Sequence, residues 1–209
     1  MPVPQQTTLL LVRHGTTPTT GRMLPGRAPG LHLSASGRAQ AERLAARIAE
    51  SGPRPSAVYA SPLERARETA SPIARALGLR VRTERGLVEV DIGTWTGRSL
   101  RRAMRSRQWA TVQRFPSGFR FPGGESFSEL AARTSDAIMR LVERHRGETV
   151  LAVSHADPIR AIVATAAGIP LDLLQRVVIG TCSVSAIRFG DLGPHVLCVN
   201  ASADALVPS

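Results

Sequence analysis

The chain has 209 residues and no lysine; all 27 of its basic residues are arginine. Sixteen acids leave a formal net charge of +11. Aromatic residues are also scarce, at 4%. A positive balance draws anions of every kind, which raises nucleic acid as a partner. So few aromatics leave little to stack on bases, and the arginines are spread along helical stretches rather than gathered in one tract. Nucleic-acid binding is therefore not expected, and most arginines read as solvated helix faces. The missing lysine itself reads as a GC-rich coding bias. Two cysteines, Cys182 and Cys198, are too few for a disulfide framework or a cysteine metal site. No apolar run approaches the ~20 residues of a membrane helix. The opening Met1-Pro2-Val3-Pro4-Gln5-Gln6 lacks a basic region followed by an apolar one. These absences lead to the expectation of a reduced, cytoplasmic protein without membrane contact.

What is present fits one globular domain over residues 1–209. Hydrophobic residues make up 43% of the chain, enough for a substantial core at this length. Short β runs alternate with segments of helical period, the pattern of an α/β domain. Strands are expected at 8–12, 57–60, 81–83, 150–154, 183–189 and 195–199. Helices are expected at 35–51, 62–77, 98–112, 125–146 and 157–167. In the longest helix Phe127, Leu130, Ala131, Thr134, Ile138, Leu141 and Val142 form one stripe, which reads as core. Residues 114–124 carry Pro116, Gly118, Pro122, Gly123 and Gly124 and read as a loop that could close over a site as a lid. The tail after Ala201 reads as loosely held.

Four segments carry chemistry. The apolar run Leu9-Leu10-Leu11-Val12 ends in Arg13-His14-Gly15. That places a cation and an imidazole at a strand's carboxyl end, where open α/β sheets bind ligands. The segment Ala57 to Ala70 reads as a strand, then Ser61 as N-cap, Pro62 at the first helical position, and a helix. Arg65 falls in its first turn, where the helix dipole disfavours a cation unless an anion is bound nearby. Glu89 and Asp91 lie two apart, ahead of Gly93-Thr94-Trp95-Thr96-Gly97, and one of them could be a general acid. A second apolar strand ends in Ser154-His155-Ala156-Asp157-Pro158, and a histidine at a helix start has backbone N–H groups beside it that suit a phosphate.

In order and spacing these segments resemble the histidine phosphatase, or phosphoglycerate mutase-like, superfamily. The matching pieces are 11–17 (LVRHGTT), 33–41 (LSASGRAQA), 61–70 (SPLERARETA), the Glu89 segment, 122–126 (PGGES) and 153–157 (VSHAD). Residues 26–30 (GRAPG) and 181–185 (TCSVS) resemble an actinobacterial subgroup of phosphomutases. The resemblance implies a three-layer α/β sandwich with a mostly parallel central sheet. It also implies phosphoryl transfer through a phosphohistidine on His14, with Glu89 as general acid and then base. Arg13, Arg65 and His155 would hold the phosphoryl oxygens, and Thr20, Gly21 and Ala156 would add to the phosphate-binding set. The expected partner is a small phosphorylated metabolite, with no cofactor, no metal, and a homodimer as one possible state.

Two positions depart from the family pattern. Thr20 stands where the family often has Asn, and Ala156 where it usually has Gly. Ala at 156 would be strained if the backbone there needed positive φ. Asp91 reads as structural or surface-exposed. Glu89 and His155 are only 66 apart, which resembles the compact phosphatases more than the longer mutases. A phosphatase is therefore expected ahead of a phosphomutase. A non-catalytic phospholigand-binding protein is the reading of another class, and the presence of the whole set Arg13, His14, Arg65, Glu89 and His155 argues against it. Arg22, Arg27, Arg101, Arg102 and Arg120 lie in the loops expected to set specificity.

Overall fold

The computed structural model describes residues 6–50 and 54–202. Its centre is a six-stranded sheet. The strands are β1 (Thr7–Arg13), β3 (Ala57–Ala60), β4 (Val81–Thr83), β6 (Thr149–Ser154), β7 (Val184–Gly190) and β8 (Gly193–Ala201), in the order β4-β3-β6-β1-β7-β8. The first four run parallel to one another, β7 pairs antiparallel with β1, and β8 pairs antiparallel with β7. A separate two-stranded ribbon pairs β2 (Met23–Leu24) with β5 (Arg98–Ser99). The helices are α1 (Ala35–Glu50), α2 (Glu64–Leu77), α3 (Leu100–Ala103), α4 (Arg107–Arg114), α5 (Phe127–Arg144) and α6 (Ala156–Ala166).

Strand alternation sends side chains to the two faces of the sheet, and the layers follow. Leu9, Leu11, Tyr59, Val150 and Ala152 pack with Ile138 and Leu141 of α5 and with Ile159, Ile162 and Val163 of α6. Val12, Val58, Ala60, Leu151 and Val153 pack with Ala41 and Leu44 of α1 and with Ala66, Ala70 and Ile73 of α2. Helix starts are capped as their residues dictate. Ser34 accepts from Gly37 N at 3.1 Å ahead of α1, and Ser126 and Glu129 form a capping box at α5.

Most expected elements hold within a residue or two. The helix expected at 98–112 is instead broken into α3 and α4. Ser106 ends one turn by donating to Ala103 O at 2.7 Å and caps the next by accepting from Trp109 N at 3.1 Å. The segment 114–124 is not a free lid. Phe119 and Phe121 are buried beside Trp95 in a third hydrophobic cluster with Val112, Phe127 and Leu174. Five of the chain's eight aromatic Phe, Trp and Tyr residues gather at this cluster, so the excursion between Glu89 and α5 has its own small core. The expectation for the tail concerns residues that lie largely outside those described.

Candidate active site

Sheet register brings the site together. Arg13 pairs with Ser154, His14 N donates to Ser154 O at 3.0 Å, and Ser61 N donates to Val153 O at 2.9 Å. His14, His155 and Ser61 therefore leave three adjacent parallel strands at one level. This is the crevice outside the carboxyl ends that the sequence pointed to.

Close backbone packing holds the loop after His14. A Cβ on Gly37 would sit 2.0 Å from Thr16 O, and one on Gly15 would sit 2.6 Å from Gly37 O. The start of α1 thus presses directly on residues 15 and 16, and only glycine fits at positions 15 and 37. Gly15 N donates to Thr69 Oγ1 at 3.0 Å, and that hydroxyl donates to Arg65 O at 2.8 Å. One threonine so ties the His14 loop to the turn that carries Arg65.

His14 is buried, with Nδ1 2.8 Å from Gly15 O. A carbonyl oxygen can only accept, so Nδ1 carries the proton and Nε2 keeps its lone pair. Burial, then the charges of Arg65 and Arg13, push the His14 pKa down to about 3. The ring is neutral at pH 7. His155 is fully buried, its ring centroid 5.1 Å from that of His14. Its Nε2 lies 2.7 Å from Ser61 Oγ, while Nδ1 has no partner among the described residues. Its pKa is driven well below the ordinary value by burial, with His14 and the arginines adding to it.

Arg65 is fully buried although charged. Its Nη2 donates to Gly26 O at 2.8 Å, and its Nε and Nη1 have no partner among the described residues. Arg13 donates from Nη1 to Ile179 O at 2.6 Å, and its Nε likewise has none. Buried donors without acceptors are costly and rare in folded proteins. Here such donors occur on two cations beside an imidazole nitrogen that also lacks a partner among the described residues, a set that suits an anion.

Glu89 sits among these groups. Burial, and then the charge of Asp157, push its carboxyl up to about 7, against the opposing pull of Val90 N, Arg65 and Arg13. Its Oε1 accepts from Val90 N at 2.9 Å. Its backbone is braced from outside, as Glu89 O accepts from Arg27 Nε at 2.7 Å and from Arg133 Nη2 at 3.1 Å. Both arginines are held by Glu125.

The remaining expectations fare unevenly. Ser61 is not the N-cap of α2, which begins at Glu64 after an uncapped Leu63; its hydroxyl serves His155 instead. Ala156 is the first residue of α6 and is not at positive φ, so it carries no backbone strain. Thr20 Oγ1 accepts from Thr17 N at 2.9 Å and lies 3.0 Å from Thr17 Oγ1, so its hydroxyl is engaged within its own turn. Gly21 closes that turn at φ 73° and is exposed. Asp91 accepts from Gly93 N and faces Arg27 at 3.6 Å, a structural role. Arg27 and Arg120 are committed to Glu125 and Glu129 rather than open to a ligand. Three participants escaped sequence reading, namely Ser61 as partner of His155, Asp157 beside Glu89, and Glu125 as the clasp on Arg27 and Arg133. The last lies in the 122–126 piece already singled out.

Among the described residues no three His, Cys, Asp or Glu side chains are grouped to hold a metal, and no helix is long and apolar enough to cross a membrane. Neither Cys182 nor Cys198 is joined in a disulfide.

The family model described as histidine phosphatase superfamily (branch 1) matches residues 9–202. Bifunctional protein Rv2228c of Mycobacterium tuberculosis is 35% identical over 190 residues, covering 88% of this chain and 50% of its own length. The chain thus spans about half of that relative. Phosphoserine phosphatase 1 of Hydrogenobacter thermophilus is 30% identical over 200 residues, covering 92% of this chain and 91% of its own. The solved structure of a mycobacterial glucosyl-3-phosphoglycerate phosphatase superposes with a TM-score of 0.84 at 25% identity, covering 95% of this chain and all of that one. A family model that matches nearly the whole chain places it: the chain belongs to the histidine phosphatase superfamily.

Proposed function

We propose that the chain hydrolyses phosphomonoesters of small metabolites through a phosphohistidine on His14, with no metal ion. One observation carries the reading. Three buried arginine donors, Arg13 Nε, Arg65 Nε and Arg65 Nη1, and the buried His155 Nδ1, all without partners among the described residues, accompany a neutral histidine whose Nε2 keeps its lone pair.

In the first step His14 Nε2 attacks phosphorus and the bond to the ester oxygen breaks. Glu89, held protonated near neutrality by its raised pKa, gives that oxygen its proton. Arg13, Arg65 and His155 hold the three phosphoryl oxygens. The two arginine charges and the imidazole are fixed in place before reaction, which is the largest kind of catalytic contribution. In the second step the Glu89 carboxylate takes a proton from water, the water oxygen bonds to phosphorus, and His14 leaves as neutral imidazole. Two displacements on a nitrogen nucleophile replace one difficult step.

The test is phosphate release from a panel of phosphomonoesters at pH 5–8 with EDTA, beside His14→Ala. The expected result is release that survives EDTA and is lost in the variant. Isomerisation of 3-phosphoglycerate without release would make the chain a mutase and overturn the hydrolytic reading. Release that persists in His14→Ala would overturn the phosphohistidine.

A further inference from the structure

The Glu89 carboxyl has few anchors of its own. Among the described residues its side chain has one hydrogen-bond partner, the N–H of the next residue, Val90, at 2.9 Å. That bond folds the side chain back on its own backbone, so the carboxyl stands where the backbone puts it. Two guanidinium groups hold that backbone. Glu89 O accepts from Arg27 Nε at 2.7 Å and from Arg133 Nη2 at 3.1 Å. Arg27 comes from the loop after β2 and Arg133 from α5. Arg133 also donates from Nη1 to Gly86 O at 2.8 Å, so it spans the stretch that leads to Glu89.

Both guanidinium groups meet at Glu125. Its Oε1 accepts from Arg133 Nε at 2.7 Å. Its Oε2 accepts from Arg133 Nη2 at 2.9 Å, Arg27 Nη2 at 3.1 Å and Asp91 N at 3.2 Å. The Glu125 N–H returns a bond to Asp91 O at 2.8 Å. These donors fill the acceptor capacity of a carboxylate, which leaves none for a ligand. The loop that carries Glu125 is pressed against the segment after Glu89. A Cβ on Gly124 would sit 2.3 Å from Asp91 O, and one on Gly93 would sit 2.2 Å from Pro122 O. Glu125 thus draws together three pieces of chain that are far apart in sequence.

The arginines of the phosphate clamp are held by other means. Arg65 Nη2 donates to Gly26 O at 2.8 Å. Gly26 packs so closely on the chain that a Cβ there would sit 2.6 Å from Ile92 Cγ1. Arg13 is held by Ile179 O. None of these contacts is made by Glu125.

We propose that Glu125 is a positioning residue for Glu89: it fixes Arg27 and Arg133 on Glu89 O and so sets where the carboxyl stands against the ester oxygen, without touching substrate. This role rests on the phosphatase reading above, in which Glu89 protonates that oxygen. Loss of Glu125 is then felt in proportion to the leaving group's need for a proton. Nitrophenolate is a stable anion and departs with little help, whereas a basic alkoxide needs the acid. The ratio kcat/KM covers the steps up to that departure, and so excludes later hydrolysis of the phosphohistidine.

The experiment measures kcat/KM for 4-nitrophenyl phosphate and benzyl phosphate with wild type, Glu125→Gln, Glu89→Gln and the double variant, all checked for folding by circular dichroism. The preference for 4-nitrophenyl over benzyl phosphate should rise about tenfold in Glu125→Gln, a part of the ~10²-fold that a 1 Å misplacement costs. It should rise further in Glu89→Gln. The double variant should match Glu89→Gln, because a residue that acts only through Glu89 then has nothing left to position. A wild-type preference in Glu125→Gln, whether both rates hold or fall together, overturns the positioning role and leaves the phosphatase standing. So does a double variant well below Glu89→Gln on benzyl phosphate. A wild-type preference in Glu89→Gln, or no hydrolysis of either ester by wild type, overturns the reading beneath it. Should Glu125→Gln not fold, Arg27→Gln carries the same comparisons, since it removes one of the two donors to Glu89 O while Arg133 keeps Glu125.

Discussion

Replacing Glu89 by glutamine should make the protein less active and more stable. The carboxyl is moved from an ordinary 4.5 up to about 7, first by burial and then by Asp157. A carboxyl with a raised folded-state value costs the fold nothing below about pH 4, where it is protonated in both states. Between 4.5 and 7 the unfolded chain loses this proton and the folded one keeps it, so stability falls as pH rises. Above 7 the buried carboxylate is ionised and the cost levels off at about 3 kcal/mol. The amide of Glu89→Gln keeps an oxygen for the 2.9 Å bond from Val90 N and cannot ionise. Glu89→Gln should therefore match wild type at pH 4 and exceed it by about 3 kcal/mol at pH 8, which for a domain of this size is roughly 6–12 °C in Tm.

Urea unfolding of both proteins at pH 4, 6 and 8 measures this gap, and phosphate release on the same samples measures the cost. Loss of the proposed general acid should lower kcat about 10²–10⁴-fold and remove the alkaline fall in rate near pH 7. His14 shapes the other limb of the stability curve. It is buried neutral with its pKa lowered to about 3, so its contribution is present above about 6.5 and lost on acidification. That contribution is common to both proteins and cancels in the difference. A stability gap that stays flat from pH 4 to 8, or a variant less stable at pH 8, would refute the argument that this carboxyl is held protonated against its solvation.

Asp157→Asn removes the charge that helps to raise Glu89 and frees Arg160 from its 2.8 Å bond. Both changes should move the alkaline limb of kcat/KM to lower pH in a pH–rate profile. Ser61→Ala removes the 2.7 Å partner of His155. One buried hydrogen bond of ordinary strength corresponds to about tenfold in kcat with little change in KM, and Ser61→Thr should restore it. Gly37→Ala drives a methyl group to 2.0 Å from Thr16 O. It should cost about 2–3 kcal/mol in urea unfolding and lower kcat as well, because the same carbonyl lies in the loop after His14.

What could be read ahead of the structure was local, and what could not was distant along the chain. Apolar strands that end in Arg13-His14 and Ser154-His155 announce their own boundaries, and the parallel register then leaves no choice but to set the two histidines side by side. Ser61 shows the opposite case. A serine before a proline ahead of a helical run is a good local signal for a cap. The hydroxyl nonetheless finds its partner 94 residues away, because β3 and β6 are neighbours in the sheet. Local propensity and tertiary contact competed for one oxygen, and the buried imidazole won. The break between α3 and α4 has the same origin. Residues 98–112 carry an acceptable helical period, but Trp109 stacks on Trp95 and Ala103 packs into the same cluster, and two faces can reach one small core only if the chain bends at Ser106. The raised pKa of Glu89 was foreseeable in kind from its apolar neighbours. The share that comes from Asp157 was not, since 68 residues of chain must fold before that charge arrives. A carboxyl raised by burial and then by another acid, and a histidine lowered by burial and then by two arginines, would in the proposed mechanism separate proton donor from nucleophile by environment alone. That separation is assembled only when both ends of the chain meet at the sheet.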